Sequence, residues 1–240
     1  YSYDKPRDPQ FPEVASFKGK VIHPQFWPDD LDYQDKTVVI IGSGATAMTL
    51  VPAMAKKAKQ VTKLQRSPTY VFSRPSEDWF ANSLRKILPS TWAYAITRTR
   101  NTLFQEFIFK QARNYPAVAK RFLIHQLHKQ LGKDYDVEKH FTPNYNPWEQ
   151  RLCLVPDDDL FKAISNGSAD IVTDHIERFT ETGIELKSGQ HLSADIIVGA
   201  TGLELEVMGG AQFSVDGQVV DFAKLTTYKG FMVSDVPNMV

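Results

Sequence analysis

The stretch Val38-Val39-Ile40-Ile41-Gly42-Ser43-Gly44-Ala45-Thr46-Ala47 constrains the fold more than any other part of the chain. A run of β-branched apolar residues without polar alternation reads as a strand buried on both faces, as in the middle of a parallel sheet. Gly42 permits a tight turn, Gly44 lets backbone approach a pyrophosphate, and Ala47 keeps the next helix close to the strand. That helix is expected from about Ala45 to Lys59, packing through Ala45, Met48, Leu50, Val51, Met54 and Ala55, with Pro52 as a point of kinking. The N–H groups around its start make Gly42, Ser43, Gly44, Ala45, Thr46 and Ala47 candidate cofactor-binding residues. The plainer alternative is a strand–helix turn that binds nothing.

The following strand, Gln60-Val61-Thr62-Lys63-Leu64-Gln65, selects the nucleotide. An NAD site places Asp or Glu near the end of this strand, on the ribose 2′-hydroxyl. Here the position holds Gln65-Arg66-Ser67. A guanidinium suits a 2′-phosphate, so the expected cofactor is NADPH, with Arg66 as the main contact and Ser67 as a neutral donor. Arg74 is a weaker candidate, read equally well as a solvated loop residue.

A second signal precedes the glycine turn. Phe17, Gly19, His23 and Trp27, followed by Pro28, read F-x-G-x-x-x-H-x-x-x-W-P. This pattern with the turn behind it resembles the fingerprint of flavin-dependent Baeyer–Villiger monooxygenases. Asp195-Ile196-Ile197-Val198-Gly199-Ala200-Thr201-Gly202 is similar to the D-x-[IV]-[IV]-x-A-T-G element of two-dinucleotide-domain flavoproteins, and physically it is a buried strand ending in a small-residue turn. The stretches Leu64 to Val71, Phe141 to Asp157 and Asp174 to Ile176 resemble an actinobacterial branch of the monooxygenases.

The resemblance implies an α/β, Rossmann-like three-layer dinucleotide-binding domain with a helical insertion. It implies FAD and NADP as cofactors, and insertion of one oxygen atom from O2 into ketones, or its transfer to sulfur, through a flavin peroxide. Ala200, Thr201 and Gly202 join the cofactor-binding candidates. The fingerprint residues Phe17, Gly19, His23 and Trp27 are assigned to an inter-domain linker, not to proton transfer. In these enzymes a Lys-Arg pair stands where this chain has Gln150-Arg151. Arg151 is therefore the catalytic candidate, its guanidinium stabilising a negatively charged adduct. Its alternative role is ion pairing to Asp157, Asp158 or Asp159. With Gln150 in place of Lys, NADPH preference rests mainly on Arg66.

The implied organisation is a linker with the fingerprint over 1–36, the NADPH domain over 37–80 and 141–202, a helical insertion over 81–140, and a linker over 203–240 returning to an FAD domain. The chain reads as an internal piece of a longer enzyme, because an N-terminal FAD-binding turn is expected in this family. In 81–133, ten Lys and Arg oppose the single acid Glu106, a net +9 within a chain of net charge zero. Pro89 and Pro116 divide this helical region, whose apolar spacing runs through Leu84, Ile87, Leu88, Trp92, Ile96, Leu103, Phe104, Phe107 and Ile108. Its basic character reads as a solvated face, as a field steering anionic NADPH, or as a surface touching anionic lipid.

The expected partners are small apolar ketones or sulfur compounds, not nucleic acid, and the expected location is the cytoplasm with peripheral membrane contact. No run of 18 apolar residues suggests a membrane span. The lone Cys153 rules out an intrachain disulfide framework and reads as a buried small hydrophobe. The six histidines show no metal-ligand pattern and no G-x-S-x-G elbow occurs. Two other readings stand beside the monooxygenase: an FAD/NAD(P)H-dependent reductase, disfavoured by the lack of a cysteine pair, and an NADP-binding module inactive by itself.

Overall fold

Val38, Val39 and Ile40 have no exposed surface at all, and the architecture follows from how their side chains divide between two faces. The computed structural model describes residues 2–236. After a short first strand, β1 (Ser2–Pro6), come β2 (Lys20–Ile22) and β3 (Thr37–Ile41). The glycine turn leads into α1 (Ala45–Met54), then β4 (Gln60–Gln65) and β5 (Tyr70–Arg74). Four helices follow: α2 (Trp79–Ile87), α3 (Ser90–Asn114), α4 (Pro116–Leu131) and α5 (Val137–Phe141). The chain returns through β6 (Leu152–Pro156), α6 (Asp159–Ser165) and β7 (Ala169–Thr173). It then forms β8 (Ile176–Thr180), β9 (Gly183–Leu186), β10 (His191–Ser193) and β11 (Ile196–Gly199).

A five-stranded parallel sheet in the order β2-β11-β3-β4-β7 forms the middle layer. One face packs on α1 and α6: Val38, Ile40, Val61 and Ile171 meet Met48, Val51, Leu160 and Phe161. The other face is covered by the antiparallel meander β8-β9-β10, where Val39, Ile41, Leu64 and Ile197 meet Phe179, Ile184, Leu186 and Leu192. The result is a three-layer α/β unit. Because every sheet strand runs the same way, the carboxyl ends of β3, β4, β7 and β11 share one edge. In an open parallel sheet that edge is where ligands bind.

Local chemistry explains where the elements stop. Pro52 has no N–H to give the carbonyl of Met48, and α1 ends two residues later at Met54, short of the expected Lys59. Asp78 caps α2 by accepting the N–H groups of Phe80 and Ala81 at 3.0 and 3.2 Å. Pro116 opens α4 at its first turn, where a missing N–H costs nothing. Strand β5 pairs in parallel with β6, Tyr70 opposite Leu152 through Arg74 opposite Pro156. This two-stranded ribbon clasps the helical region at both its ends.

Two features differ from the sequence expectation, and a third is one that apolar spacing leaves open. The segment assigned to a linker over 1–36 supplies β2, an edge strand of the main sheet. The helical region begins at Trp79 and ends at Phe141, slightly wider than 81–140. Its apolar residues are not all interior: Ile87, Trp92, Ile96, Leu103, Phe104 and Phe107 are exposed, and α3 buries only Ala93 and Ala112.

Residues 2–7 and 202–236 belong to a second compact unit. In it β1 pairs antiparallel with β12 (Leu203–Glu204), and the N–H of Arg7 donates to the carbonyl of Gly202 at 3.0 Å. Two short hairpins follow, at Ser214–Val215 with Gln218–Val219 and at Thr227–Tyr228 with Met232–Val233. Residues 237–240 of the expected returning linker, and Tyr1 of the first, lie outside the described residues.

The fingerprint glycine has a packing reason. A methyl on Gly19 would stand 2.4 Å from the carbonyl oxygen of Asp195 and 2.6 Å from the buried ring of Phe17. Both obstacles are rigid, since Asp195 also ties β3 to β11 through its bonds with the backbone of Thr37. Gly19→Ala is expected to lower stability by about 1–3 kcal/mol, as overpacking does, read as a shifted urea midpoint with an unchanged slope.

Candidate nucleotide site at the carboxyl edge of the sheet

The candidate site begins where β3 ends. Gly42 has φ +148°, and a methyl there would meet the carbonyl oxygen of Ala200 at 2.4 Å, so only glycine lets the two turns pass. The N–H of Gly42 donates to the carbonyl of Leu64 at 2.9 Å, binding the turn to β4. The first bond inside α1 runs from the N–H of Met48 to the carbonyl of Gly44. The amides of Ala45, Thr46 and Ala47 therefore precede the helical ladder, and the helix presents its positive end there. Ala47 is wholly buried under the strand, as close helix packing requires.

A guanidinium lies over this turn. Arg151 Nη2 donates to Ser43 Oγ at 3.2 Å, and Nη1 would be 3.3 Å from a methyl placed on Gly44. The backbone of Arg151 is fixed: its carbonyl accepts from Thr69 Oγ1 at 3.1 Å and from the Tyr145 hydroxyl at 3.0 Å. The Tyr70 hydroxyl holds the carbonyl of Tyr145 at 2.8 Å. Glu149 closes the same loop by accepting from the N–H and the side-chain amide of Asn146, both at 2.9 Å. These bonds hold the Glu149 carboxyl below its usual range. The alternative ion pair of Arg151 is not formed among the described residues. Asp157 accepts from the N–H of Ser76, Asp158 from Gln130, and Asp159 from the N–H of Leu160.

Beneath the turn Gln65, a cofactor candidate, belongs to a polar cluster whose other members carry no sequence signal of a site. Lys63 is completely buried, and its Nζ donates to Gln65 Oε1 at 2.7 Å. Gln65 Nε2 donates to the carbonyl of His140 at 2.7 Å and to Thr173 Oγ1 at 2.9 Å. His140 Nδ1 completes the set, 2.8 Å from Thr173 Oγ1. Burial lowers the Lys63 ammonium from 10.5 to about 7; nearby Cys153 opposes the shift and Arg151 adds to it. Burial also lowers His140 and raises the Cys153 thiol, whose Sγ is 3.9 Å from the carbonyl of Ser43. As expected, Cys153 is a buried hydrophobe.

The expected residues therefore fall into three groups. Gly42, Ser43, Gly44, Ala45, Thr46, Ala47, Ala200 and Arg151 surround one turn. Arg66 and Ser67 are exposed just past the end of β4, whereas Gln65 is buried, its side chain engaged internally and its carbonyl accepting the N–H of Asp174. The fingerprint divides between the sheet's two ends. Phe17 and Gly19 precede β2, while His23 and Trp27 follow it, His23 Nδ1 accepting the N–H of Gln25 at 3.2 Å and Trp27 packing on the helical-side core. Thr201 closes the larger unit and Gly202, at φ +91°, opens the smaller.

A strand–glycine-turn–helix at the carboxyl edge of a parallel sheet, with a guanidinium over the turn, defines a dinucleotide-type anion site. The chain belongs to the flavin-binding monooxygenase-like (FMO-like) family, whose pattern matches residues 3–209. It is 55% identical over its whole length to a protein of Acinetobacter baylyi named probable FAD-binding monooxygenase AlmA, covering 48% of that protein. It is 52% identical to the FAD-containing monooxygenase EthA of Mycobacterium tuberculosis, covering 49%. The chain thus spans about half the length of the curated relatives it matches. Among solved structures, an oxidized steroid monooxygenase bound to NADP aligns over 83% of this chain and 45% of its own, with TM-score 0.64 and 21% identity. An open structure of cyclohexanone monooxygenase aligns over 83% and 46%, with TM-score 0.63 and 19% identity, a likeness of fold.

The buried lysine sets a pH dependence. Its folded value near 7 lies below the 10.5 of an unfolded lysine, so between these two pH values the unfolded chain binds the extra proton. Stability contributed by this group therefore rises with pH across that window, and its burial cost is largest below pH 7. Lys63→Met is expected to be more stable than the parent at pH 6, by on the order of 1 kcal/mol or more. Urea unfolding at pH 6 and pH 9.5 should show the gap narrowing at the higher pH.

Proposed function

We propose that the whole protein is an NADPH- and FAD-dependent monooxygenase, inserting one oxygen atom from O2 into small apolar ketones or transferring it to sulfur. The observation that carries this reading is the Arg151 guanidinium, fixed by its own backbone bonds and lying on Ser43 of the glycine turn. The residues fit NADP. Gly42 and Gly44 leave room for a pyrophosphate, the amides of Ala45 to Ala47 face it, and exposed Arg66 and Ser67 stand ready for the 2′-phosphate. NADPH supplies a hydride and the flavin supplies the oxygen chemistry. This chain's share is binding, orientation and charge. Arg151 serves first as a clamp at the pyrophosphate and then as the cation that stabilises negative charge on the reacting carbonyl. The Baeyer–Villiger resemblance and family membership support the reaction class; relatives named for FAD support the flavin.

Two variants separate these roles. Arg66→Ala is expected to weaken NADPH binding about tenfold or more while leaving NADH binding unchanged, measured by calorimetric titration. Unchanged NADPH affinity would overturn the assignment of Arg66. Arg151→Ala should reduce oxygenated product about 100-fold or more in the complete enzyme, and full oxygenation would remove Arg151 from the reaction.

A second reading concerns the surface of the helical region. Trp92, Ile96, Leu103 and Phe107 share one side of α3 by helical spacing and are all exposed, Trp92 by 66% and Phe107 by 56%. The 81–133 region carries its net +9 in the same stretch. No helix among the described residues is long and apolar enough to cross a membrane. Aromatic side chains beside Lys and Arg favour the surface of an anionic bilayer. Co-sedimentation should occur with vesicles containing phosphatidylglycerol, fall away in 0.5 M salt, and be absent with pure phosphatidylcholine. Equal behaviour with both lipids would set this contact aside.

A further inference from the structure

Most of the cofactor candidates lie at the surface of the carboxyl edge, but one cation close behind them, Lys63, is interior. Lys63 sits on β4 two residues before Gln65, and Arg66 follows Gln65 directly. One arm of its surroundings leads to the 2′-phosphate end. Lys63 Nζ holds Gln65 Oε1, and Gln65 in turn anchors to the carbonyl of His140 on α5 and the hydroxyl of Thr173 on β7. These bonds fix the end of β4 from which Arg66 projects. The other arm leads to the pyrophosphate turn. Arg151, the cation whose field acts on Lys63, stands two residues before Cys153 on β6, and both side chains touch Ser43.

The groups around Lys63 leave its charge uncompensated. Cys153 stays a protonated thiol because burial raises it, and His140 stays neutral because burial lowers it. Arg151 is a permanent cation. Asp170 on β7 acts on His140 and Tyr135, not among the charges that act on Lys63. A buried ammonium with no carboxylate partner is costly, and a ligand bearing several negative charges nearby would offset that cost.

We propose that Lys63 is a positioning residue for the dinucleotide: its buried amine takes up a proton as NADPH binds, placing a positive charge behind the glycine turn and tightening, through Gln65, the strand end that carries Arg66. The role adds to the NADPH reading above and rests on it. It also explains why a lysine occupies a strand position whose packing would suit an aliphatic residue. Lys63 does not touch the ligand. It acts through Gln65 on one side and through its field on the other.

Calorimetric titration with NADPH at pH 8, in two buffers of different ionisation enthalpy, counts the protons bound with the ligand. At this pH the 2′-phosphate is already dianionic, and comparison with Lys63→Met assigns the proton taken up to Lys63 rather than to another neutral base. The parent protein is expected to take up a substantial fraction of a proton and to lose affinity about tenfold between pH 7 and pH 9. Lys63→Met, whose unbranched chain fits the same space, should show no uptake and a flat affinity over that range. Uptake by the variant equal to the parent's would overturn the proposal. So would zero uptake by the parent, a result that needs no variant. If the parent bound no NADPH at either pH, the nucleotide reading itself would fail, taking this inference with it.

Discussion

Burial of β3 on both faces is the constraint from which the rest of the larger unit follows. Val38 and Ile40 face the helices while Val39 and Ile41 face the meander, so neither layer can be removed without exposing half of the strand. A strand buried in this way must be flanked by others, and parallel neighbours put their carboxyl ends beside its own. Gly42 follows at that edge. Its lack of a side chain is what allows the turn after β11 to close against the turn after β3. The candidate site is therefore a consequence of sheet order, and its residues come from distant parts of the chain because the sheet order is not the sequence order.

Much of this was legible because it is local. The apolar run of β3, the glycine spacing, the strand over Gln60–Gln65 and the breaks at Pro89 and Pro116 each depend on residues adjacent in sequence. What escaped is long-range. The pairing of β5 with β6 joins residues about eighty positions apart, and nothing in Tyr70–Arg74 alone announces its partner. Strand β2 is three residues long and reads as part of a coil until β11 is placed beside it. The exposed side of α3 was hidden for a different reason: apolar periodicity shows that a helix has an apolar side, not that the side is covered.

Arg151 shows how a resemblance and a geometry can supply different halves of one account. The resemblance suggested chemistry at a flavin and left an ion pair to the neighbouring aspartates as the alternative. The structure gives those aspartates other partners and brings the guanidinium onto Ser43. A side chain anchored at its own carbonyl by Thr69 and Tyr145, yet exposed at its tip, can change what its guanidinium contacts without moving its backbone. That combination suits a group that serves a phosphate at one stage and a reacting oxygen at another.

Lys63 was the least legible of the residues that matter. Alternation along β4 puts Val61, Lys63 and Gln65 on one side, and two polar residues in three argue for a face turned to water. The opposite holds, because α5 and the loop before β6 close over that end of the strand, and only tertiary contact determines it. Local pattern and global fold conflict here, and such conflicts are where function is to be sought. An aliphatic side chain would remove the desolvation cost and the need for Gln65 to turn inward. Retaining an amine gives the sheet edge a charge that is present when an anion demands it and can be shed when none does. Surface arginines cannot act in this way, since they are charged under all conditions and screened by salt.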